Sequence, residues 1–128
     1  MLNRLFLFFL ILLSCKTSKN VSGKNSSRDI FGTWQYKESS GGFTGKGTAW
    51  QVPVTLNLTK EFIYELKMDQ KIIETDQFKL TTKSHGEDSI RIMDLNNGID
   101  KHYRLSGDTL FLDELVNDGY SYVFLRKK

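Results

Sequence analysis

Apolar and polar residues alternate along most of the chain from residue 31 onward. Between Trp50 and Leu58, every even-numbered position is apolar and every odd-numbered position is polar or proline. The same period of two continues between Phe62 and Met68 and returns in several later segments. Successive side chains of a β-strand point to opposite faces of a sheet, so this pattern is typical of strands with one buried face.

Short polar breaks separate the alternating segments. Asn97-Gly98, Ser106-Gly107 and Asp118-Gly119 are dipeptides that tolerate the positive φ angles of tight hairpin turns. No segment keeps a 3.6-residue apolar period between caps, so we predict strands throughout. The expected strands lie at 32–38, 49–58, 61–68, 71–82, 88–95, 99–105, 108–115 and 119–126. Pro53 cannot donate to a ladder, so we expect a bulge or an unpaired rim there.

The first and last predicted strands carry residues suited to closing a sheet. Gly32 lets the backbone turn tightly while Trp34 swings into the interior, and Arg126 on the last strand can lie across the indole ring. Sequential antiparallel strands that close on themselves leave no exposed edge. We therefore predict an all-β fold, an up-and-down antiparallel eight-stranded β-barrel.

Gly32 and Trp34, together with the basic residue Arg126 on the final strand, resemble the signature of the calycin superfamily, which includes the lipocalins. The resemblance covers residues 30–128. It implies a lipocalin-like barrel that binds a small apolar or amphipathic ligand in its interior.

Composition bounds the remaining possibilities. Apolar residues make up 39% and charged residues 26% of the 128 positions, which is ordinary for one globular domain. The net charge is +3, but four basic residues lie between 16 and 28, so the domain is close to neutral and has no nucleic-acid footprint. The only cysteine, Cys15, precedes the domain, which therefore has no disulfide and no thiol nucleophile.

Residues 1–14 have the pattern of a signal peptide. Arg4 precedes nine unbroken apolar residues, Leu5 to Leu13. As a helix this run would be about 14 Å long against a hydrocarbon core of about 30 Å, so it is too short to span a membrane.

The end of this segment, Leu12-Leu13-Ser14-Cys15, resembles the bacterial lipobox. The resemblance implies cleavage after Ser14 and lipidation of Cys15 by a diacylglyceryl thioether and an amide-linked acyl chain such as palmitate, which would anchor the protein to a membrane. Lys16 replaces the aspartate that retains lipoproteins at the inner membrane, which implies an outer-membrane location facing the periplasm. The alternative is an ordinary secretory signal with an incidental cysteine.

The stretch 15–28 contains one large apolar residue, Val21, and cannot build a core. We predict a flexible tether with a root-mean-square reach of about 20 Å, followed by the barrel domain at 29–128.

The sequence offers no convincing catalytic or metal-binding cluster. His85 and His102 have no second histidine or cysteine at ligand spacing. Asp113 and Glu114 are adjacent on a strand and therefore point to opposite faces. Gly45-Lys46 lacks the other residues of a phosphate-binding loop. We therefore predict a protein with no metal, no cofactor and no enzymatic activity.

The barrel interior is the candidate ligand site. The residues predicted to point inward are Trp34, Tyr36, Trp50, Val52, Val54, Leu56, Phe62, Tyr64, Phe78, Tyr103, Tyr122 and Phe124. The candidate ligand contacts are Phe43, Trp50, Leu56, Tyr64, Phe78, Tyr103 and Tyr122. Buried tyrosines need hydrogen-bond partners and so can mark a pocket, or they can point their hydroxyls to water at the rim. Phe43 belongs to the glycine-rich loop 39–48, either a lid over the barrel mouth or a loop without a role.

The sequence is also compatible with a second function. A barrel filled by its own side chains would serve as a scaffold for protein interaction or envelope assembly, and the outward apolar residues are Ile63, Phe111, Val123 and Leu125. A cavity above about 300 Å³ would favour the ligand-binding function, whereas a filled interior would favour the interaction module.

Overall fold

The structure, a computed structural model, describes residues 30–47 and 49–128. The predicted signal peptide, Cys15 and the tether lie outside these residues. The strands are β1 (Gly32–Gly41), β2 (Val54–Leu58), β3 (Ile63–Met68), β4 (Lys71–His85), β5 (Asp88–Leu95), β6 (Lys101–Ser106), β7 (Thr109–Glu114) and β8 (Tyr120–Arg126). They pair in sequence order, and β1 pairs antiparallel with β8, so the sheet is closed. The predicted up-and-down antiparallel eight-stranded barrel is confirmed.

The second strand is shorter than predicted because of Pro53. A proline has no N–H to donate to a ladder, and β2 begins only at Val54, just after it. The Pro53 carbonyl instead accepts a hydrogen bond from the Asp69 backbone N–H at 2.9 Å. The prediction that Val52 faces inward is wrong, because the residue lies in a bend before the strand and is exposed.

One end of the barrel is closed around Trp34. The indole is fully buried, and its Nε1 donates a hydrogen bond to the Ile30 carbonyl at 2.8 Å. The Arg126 guanidinium carbon lies 4.1 Å from the centroid of the indole ring, and its Nη1 donates to the Phe31 carbonyl at 3.2 Å. Gly32 has a φ of +131°, and a Cβ there would lie 3.3 Å from the Arg126 guanidinium. Glycine therefore suits both the backbone angle and the closeness of the arginine.

Apolar side chains fill the barrel from this closed end as far as the residues Tyr64 and Phe124. The buried cluster consists of Ile30, Trp34, Leu56, Leu58, Tyr64, Phe78, Met93, Leu95, Tyr103, Leu110, Leu112 and Phe124. Phe62 was predicted to point into this core, and that prediction is wrong. It adopts a positive φ of 63° in the turn before β3, and its partly exposed ring packs edge-on against Phe31 and Phe78.

The opposite end of the barrel is splayed. Strand β4 pairs with β5 from Phe78 to His85, whereas its first part, Lys71–Gln77, pairs with β3. Strand β5 ends at Leu95, opposite Phe78, so it does not flank this first part of β4. Asn97 bridges the resulting gap, because its backbone N–H donates to Asp76 at 2.9 Å and its side-chain amide donates to Glu74 at 3.1 Å. The barrel wall at this end is therefore held by side chains as well as by ladder hydrogen bonds.

Candidate ligand-binding site

A cavity of about 220 Å³ lies inside the splayed end of the barrel. It is lined by Tyr36, Trp50, Val54, Tyr64, Leu66, Ile73, Glu74, Lys101, Glu114, Tyr122 and Phe124. Most of these residues lie in or near the loops 41–54, 68–71, 95–101 and 114–120, which are at the end opposite Trp34, whereas Tyr64 and Phe124 also belong to the buried core and form the floor of the cavity. Ile73 is 49% exposed, so the cavity reaches solvent beside the first part of β4. The barrel is therefore not completely filled, but its cavity is smaller than the roughly 300 Å³ at which typical ligand pockets begin.

A buried ion pair forms one wall of the cavity. Lys101 and Glu114 are direct partners in the β6–β7 register, which places both side chains on the inner face. The Lys101 Nζ lies 3.1 Å from the Glu114 Oε1, and the two side chains are 7% and 14% exposed. Removing two charges from water is costly, and such a pair survives only where further hydrogen bonds satisfy it.

Those further hydrogen bonds converge on Glu114. The Tyr122 hydroxyl donates to its Oε1 at 3.2 Å, and the Tyr120 backbone N–H donates to its Oε2 at 3.1 Å. Burial by itself would raise the pKa of Glu114, but the Tyr120 N–H, the Lys101 ammonium and the Tyr122 hydroxyl together lower it below its ordinary value. Burial, and after it the Glu114 charge, raises the pKa of Tyr122. At neutral pH the carboxylate is therefore ionised and the phenol protonated.

Tyr64 presents a polar group to the same cavity. The residue is 4% exposed, and its hydroxyl has no hydrogen-bond partner within the part of the chain that the structure describes. No completely buried side-chain N or O atom in the described residues lacks a partner, so the hydroxyl is not sealed in the core but reaches the cavity. Burial, and then the charge of Glu74, raises the pKa of Tyr64, which keeps the phenol neutral.

Glu74 adds a second carboxylate to the lining. It pairs with Leu66 across β3 and β4, so both side chains lie on the inner face. One carboxylate oxygen accepts the hydrogen bond from Asn97, and no ion pair involves Glu74 among residues 30–47 and 49–128. The cavity wall thus carries two carboxylates and one ammonium group.

Aromatic rings form much of the remaining wall. The rings of Tyr36 and Trp50 meet edge to face with centroids 6.4 Å apart, and Tyr36 meets Phe124 in the same way at 5.9 Å. Phe124 in turn lies 6.4 Å from Tyr122. The Lys101 Nζ lies 5.5 Å from the centroid of the Tyr122 ring. The site therefore combines flat apolar surfaces with a small number of buried polar groups, as ligand pockets usually do.

The seven predicted ligand contacts occupy three kinds of position. Those that line the cavity are Trp50, Tyr64 and Tyr122. Those buried in the apolar core are Leu56, Phe78 and Tyr103. Phe43 is 95% exposed on the loop after β1 and is not part of the lining. The structure thus brings together three of the predicted contacts at the splayed end.

Sequence reasoning missed the charged members of the site. Glu114 has the same parity as Leu110 and Leu112, and Lys101 has the same parity as Tyr103 and Leu105. The period of two therefore points both side chains inward. That signal was present, but a lysine and a glutamate at the ends of strands are expected to face solvent unless they are paired. Only the register between β6 and β7 shows that they are paired.

An apolar rim surrounds the splayed end. Nine large apolar side chains are exposed within residues 30–47 and 49–128, and seven of them belong to this rim: Phe43, Val52, Ile72, Ile73, Ile99, Leu115 and Val116. They lie in the loops at the cavity end or in the first residues of β4. The two others, Phe62 and Leu125, belong to the closed end. Exposed apolar residues concentrated at one end are typical of an interaction surface.

Two other depressions are less suited to bind a ligand. A groove of about 550 Å³ on the outside of β1–β3 is lined by Thr33, Gln35, Pro53, Thr55, Asn57, Lys67, Gln70 and Lys127, none of which is buried. A depression of about 160 Å³ lies beside Phe62 and Phe78 at the closed end. Neither contains a buried polar group that lacks a partner, so we assign the candidate site to the barrel interior.

The described residues contain no group of three or more histidine, cysteine, aspartate or glutamate side chains placed to hold a metal ion. None of their helical segments has the length and apolar character needed to cross a bilayer. The fold and site define a closed up-and-down β-barrel with a small polar-and-aromatic cavity. No protein-family model matches the chain, and no curated protein is significantly similar to it.

Proposed function

We propose that this protein is a non-enzymatic, lipocalin-like binding protein that holds a small amphipathic molecule inside its barrel. One observation carries the proposal: the nearly buried Tyr64 hydroxyl faces an interior cavity without a protein partner. A barrel interior that only stabilises the fold is filled by side chains, and its buried polar groups bond to one another. A hydroxyl that faces open space at the centre of a barrel favours a bound molecule. The closed eight-stranded barrel is consistent with this class of protein.

The cavity volume limits the size of the ligand. A dry protein cavity of about 150 Å³ holds benzene, so 220 Å³ holds a molecule of about nine non-hydrogen atoms at similar filling. A micromolar dissociation constant corresponds to about 8 kcal/mol, or about 0.9 kcal/mol for each of nine atoms. That binding free energy per atom lies between the ceiling of about 1.5 kcal/mol per atom for very small ligands and the roughly 0.3 kcal/mol per atom of drug-sized ones. Micromolar affinity is therefore physically reasonable.

Ligand binding is tested on the mature chain carrying Cys15→Ser. The protein is exposed to an extract of membrane lipids and metabolites and examined by native mass spectrometry. We expect a defined added mass in the parent chain and its loss in Leu66→Trp, because the larger ring fills the cavity. The matched control is Leu125→Trp, an exposed position at the closed end. Bare protein throughout, or equal binding by both variants, would contradict the proposal.

We propose that the barrel is displayed on the bacterial cell envelope by lipid on Cys15, at the outer membrane. The lipobox resemblance motivates this location. The chain reaches β1 from Ile30 at the closed end, so a tether would attach opposite the cavity mouth and leave the mouth accessible. We expect a palmitate analogue to label the wild-type protein and not Cys15→Ser. Lack of label would contradict lipidation, and recovery in the inner-membrane fraction would contradict the outer-membrane location.

The apolar rim favours a second candidate function, a protein-interaction or envelope-assembly module. The outward residues that first suggested this function, such as Phe111, are partly covered: the Arg104 guanidinium carbon lies 4.8 Å from the Phe111 ring centroid. Rim residues such as Ile72 and Val116 are more exposed. For this function we expect Ile72→Lys with Val116→Lys to abolish cross-linking to an envelope protein, while Leu66→Trp leaves it intact. The reverse result would assign the interaction to the cavity.

A further inference from the structure

The charges that face the cavity do not cancel. Lys101 and Glu114 form a closed pair at 3.1 Å, and Glu114 is further bonded to Tyr122 and Tyr120, so this group of side chains is neutral as a unit. Glu74 remains. It accepts a hydrogen bond from the neutral amide of Asn97 and has no cationic partner in the described ranges. The cavity wall therefore carries one net negative charge.

The Tyr64 hydroxyl is independent evidence that a polar group belongs in this space. It is buried to 4% exposure, lines the cavity and has no partner in the described part of the protein. A neutral phenol offers one donor and two acceptor lone pairs. Glu74 is the ladder partner of Leu66, two residues along β3 from Tyr64, so the Tyr64 and Glu74 side chains are diagonal neighbours on the inner face. A single ligand N–H group can therefore be shared between a phenol oxygen and a carboxylate.

The aromatic wall suits a cation as well. The faces of Tyr, Trp and Phe rings carry partial negative charge and attract ammonium groups within about 6 Å of the ring centroid. Tyr36, Trp50 and Phe124 present such rings to the cavity. The Lys101 ammonium, 5.5 Å from the Tyr122 centroid, shows that this wall already accommodates one cation. The Glu74 carboxylate and the aromatic rings line the same cavity, which suits a second cation.

We propose that the cavity binds a small organic cation, an ammonium group on an apolar body of about eight further non-hydrogen atoms. This inference rests on the proposed ligand-binding function and specifies its chemical class. The ammonium group lies between the Glu74 carboxylate and the Tyr64 hydroxyl, and the apolar body lies against Tyr36, Trp50 and Phe124. An anionic ligand of the same size meets two carboxylates, and the one ammonium group in the wall is already neutralised by Glu114.

The test compares three probes of nearly equal shape and different charge. The mature chain carrying Cys15→Ser is titrated calorimetrically at pH 7 with 2-phenylethylamine, 2-phenylethanol and phenylacetate. We expect the amine to bind at least about tenfold more tightly than the alcohol, which corresponds to one charge-assisted hydrogen bond, and the carboxylate not to bind detectably.

Glu74→Gln separates charge from shape. Glutamine keeps the carbonyl oxygen that accepts the Asn97 hydrogen bond, so the fold is expected to persist, as circular dichroism and the melting temperature would show. We expect the variant to lose the roughly tenfold preference for the amine and to bind the alcohol as before. Glu87→Gln, an exposed position in the β4–β5 turn, is the matched control and should behave as the parent chain.

The outcomes distinguish this inference from the function on which it rests. Equal binding of amine and alcohol, with both abolished by Leu66→Trp, would overturn the charge preference and retain the ligand cavity. Preference for phenylacetate would overturn the inference and identify Lys101 as the anchoring group. Failure of all three probes to bind would overturn the inference. If the extract experiment also leaves the protein bare, the proposed function falls with it.

Discussion

The two ends of the barrel use their inward positions in different ways. At the closed end, Trp34 and Leu58 are completely buried among other apolar side chains, and Arg126 covers the indole. At the splayed end, inward-facing positions are occupied by the charged residues Lys101 and Glu114, which line a cavity. Apolar burial stabilises by about 25 cal/mol for each Å², whereas buried charges cost free energy unless they are fully bonded. The comparison indicates that the closed end supplies stability and that the splayed end is constrained by something other than stability.

The largest expected effect tests the closed end. Burying an indole of about 200 Å² gives a gross gain of about 5 kcal/mol, so we expect Trp34→Ala to lower the free energy of unfolding by about 3–5 kcal/mol. Trp50→Ala, at the half-buried cavity wall, is the matched control and should cost about 1 kcal/mol. Urea denaturation of both variants measures the difference. Equal losses would contradict the division between the two ends.

The buried ion pair tests whether the splayed end is built for stability. Lys101→Met leaves the Glu114 carboxylate buried without its cation and should cost about 3–5 kcal/mol. The double variant Lys101→Met with Glu114→Leu removes both charges, and we expect it to restore stability to within about 1 kcal/mol of the parent. If the double variant were as unstable as the single one, the pair would have to be counted as part of the stabilising core.

A smaller effect is expected for the arginine over the indole. We expect Arg126→Ala to cost about 1–2 kcal/mol, because the variant loses the stacking on Trp34 and the hydrogen bond to the Phe31 carbonyl. Arg104→Ala is the control, since its guanidinium also lies over a ring but is exposed to solvent. We expect it to change the melting temperature little. Equal changes in melting temperature for the two variants would mean that the position of Arg126 at the closed end of the barrel gives its ring contact no extra stabilising effect.

The smallest effect concerns pH. The pKa of Glu114 is lowered in the folded protein relative to its ordinary value of 4.5, so folding favours the ionised form. The resulting stability is present above pH 4.5 and is lost as the pH falls through the lower folded pKa. We expect Glu114→Gln to make urea midpoints less dependent on pH as the pH falls below the ordinary glutamate pKa of 4.5. An unchanged pH profile would show that another carboxyl group governs acid unfolding.

Much of the fold could be predicted from local pattern. Period-two alternation and Asn-Gly or Asp-Gly turns identify strands, and Gly32, Trp34 and Arg126 identify the ends that meet. These signals are either local in the sequence or come from residues, such as a large indole, that fit few positions in a fold. The start of β2 was harder to predict from the sequence, because residues 50–58 alternate without a break. Only the missing N–H of Pro53 ends the ladder.

The site was only partly predictable, because it depends on register. Alternation places Tyr64, Tyr103 and Tyr122 inward. It does not show that Tyr64 and Tyr122 line a cavity whereas Tyr103 packs only in the core. That distinction depends on the end of β5 at Leu95, which leaves the first part of β4 without this neighbour, and on the bulge between Leu66 and Lys67. Neither feature has a local sequence signal.

The most direct test of the central claim is a ligand titration followed by nuclear magnetic resonance of backbone amides. The ¹⁵N-labelled mature chain carrying Cys15→Ser is titrated with 2-phenylethylamine. We predict that amide shifts will concentrate at cavity residues such as Tyr64, Glu74 and Lys101, and will be absent around Trp34 at the closed end. Shifts confined to the outer groove near Thr55, or no shifts even at high probe concentration, would contradict the claim that the cavity binds an organic cation.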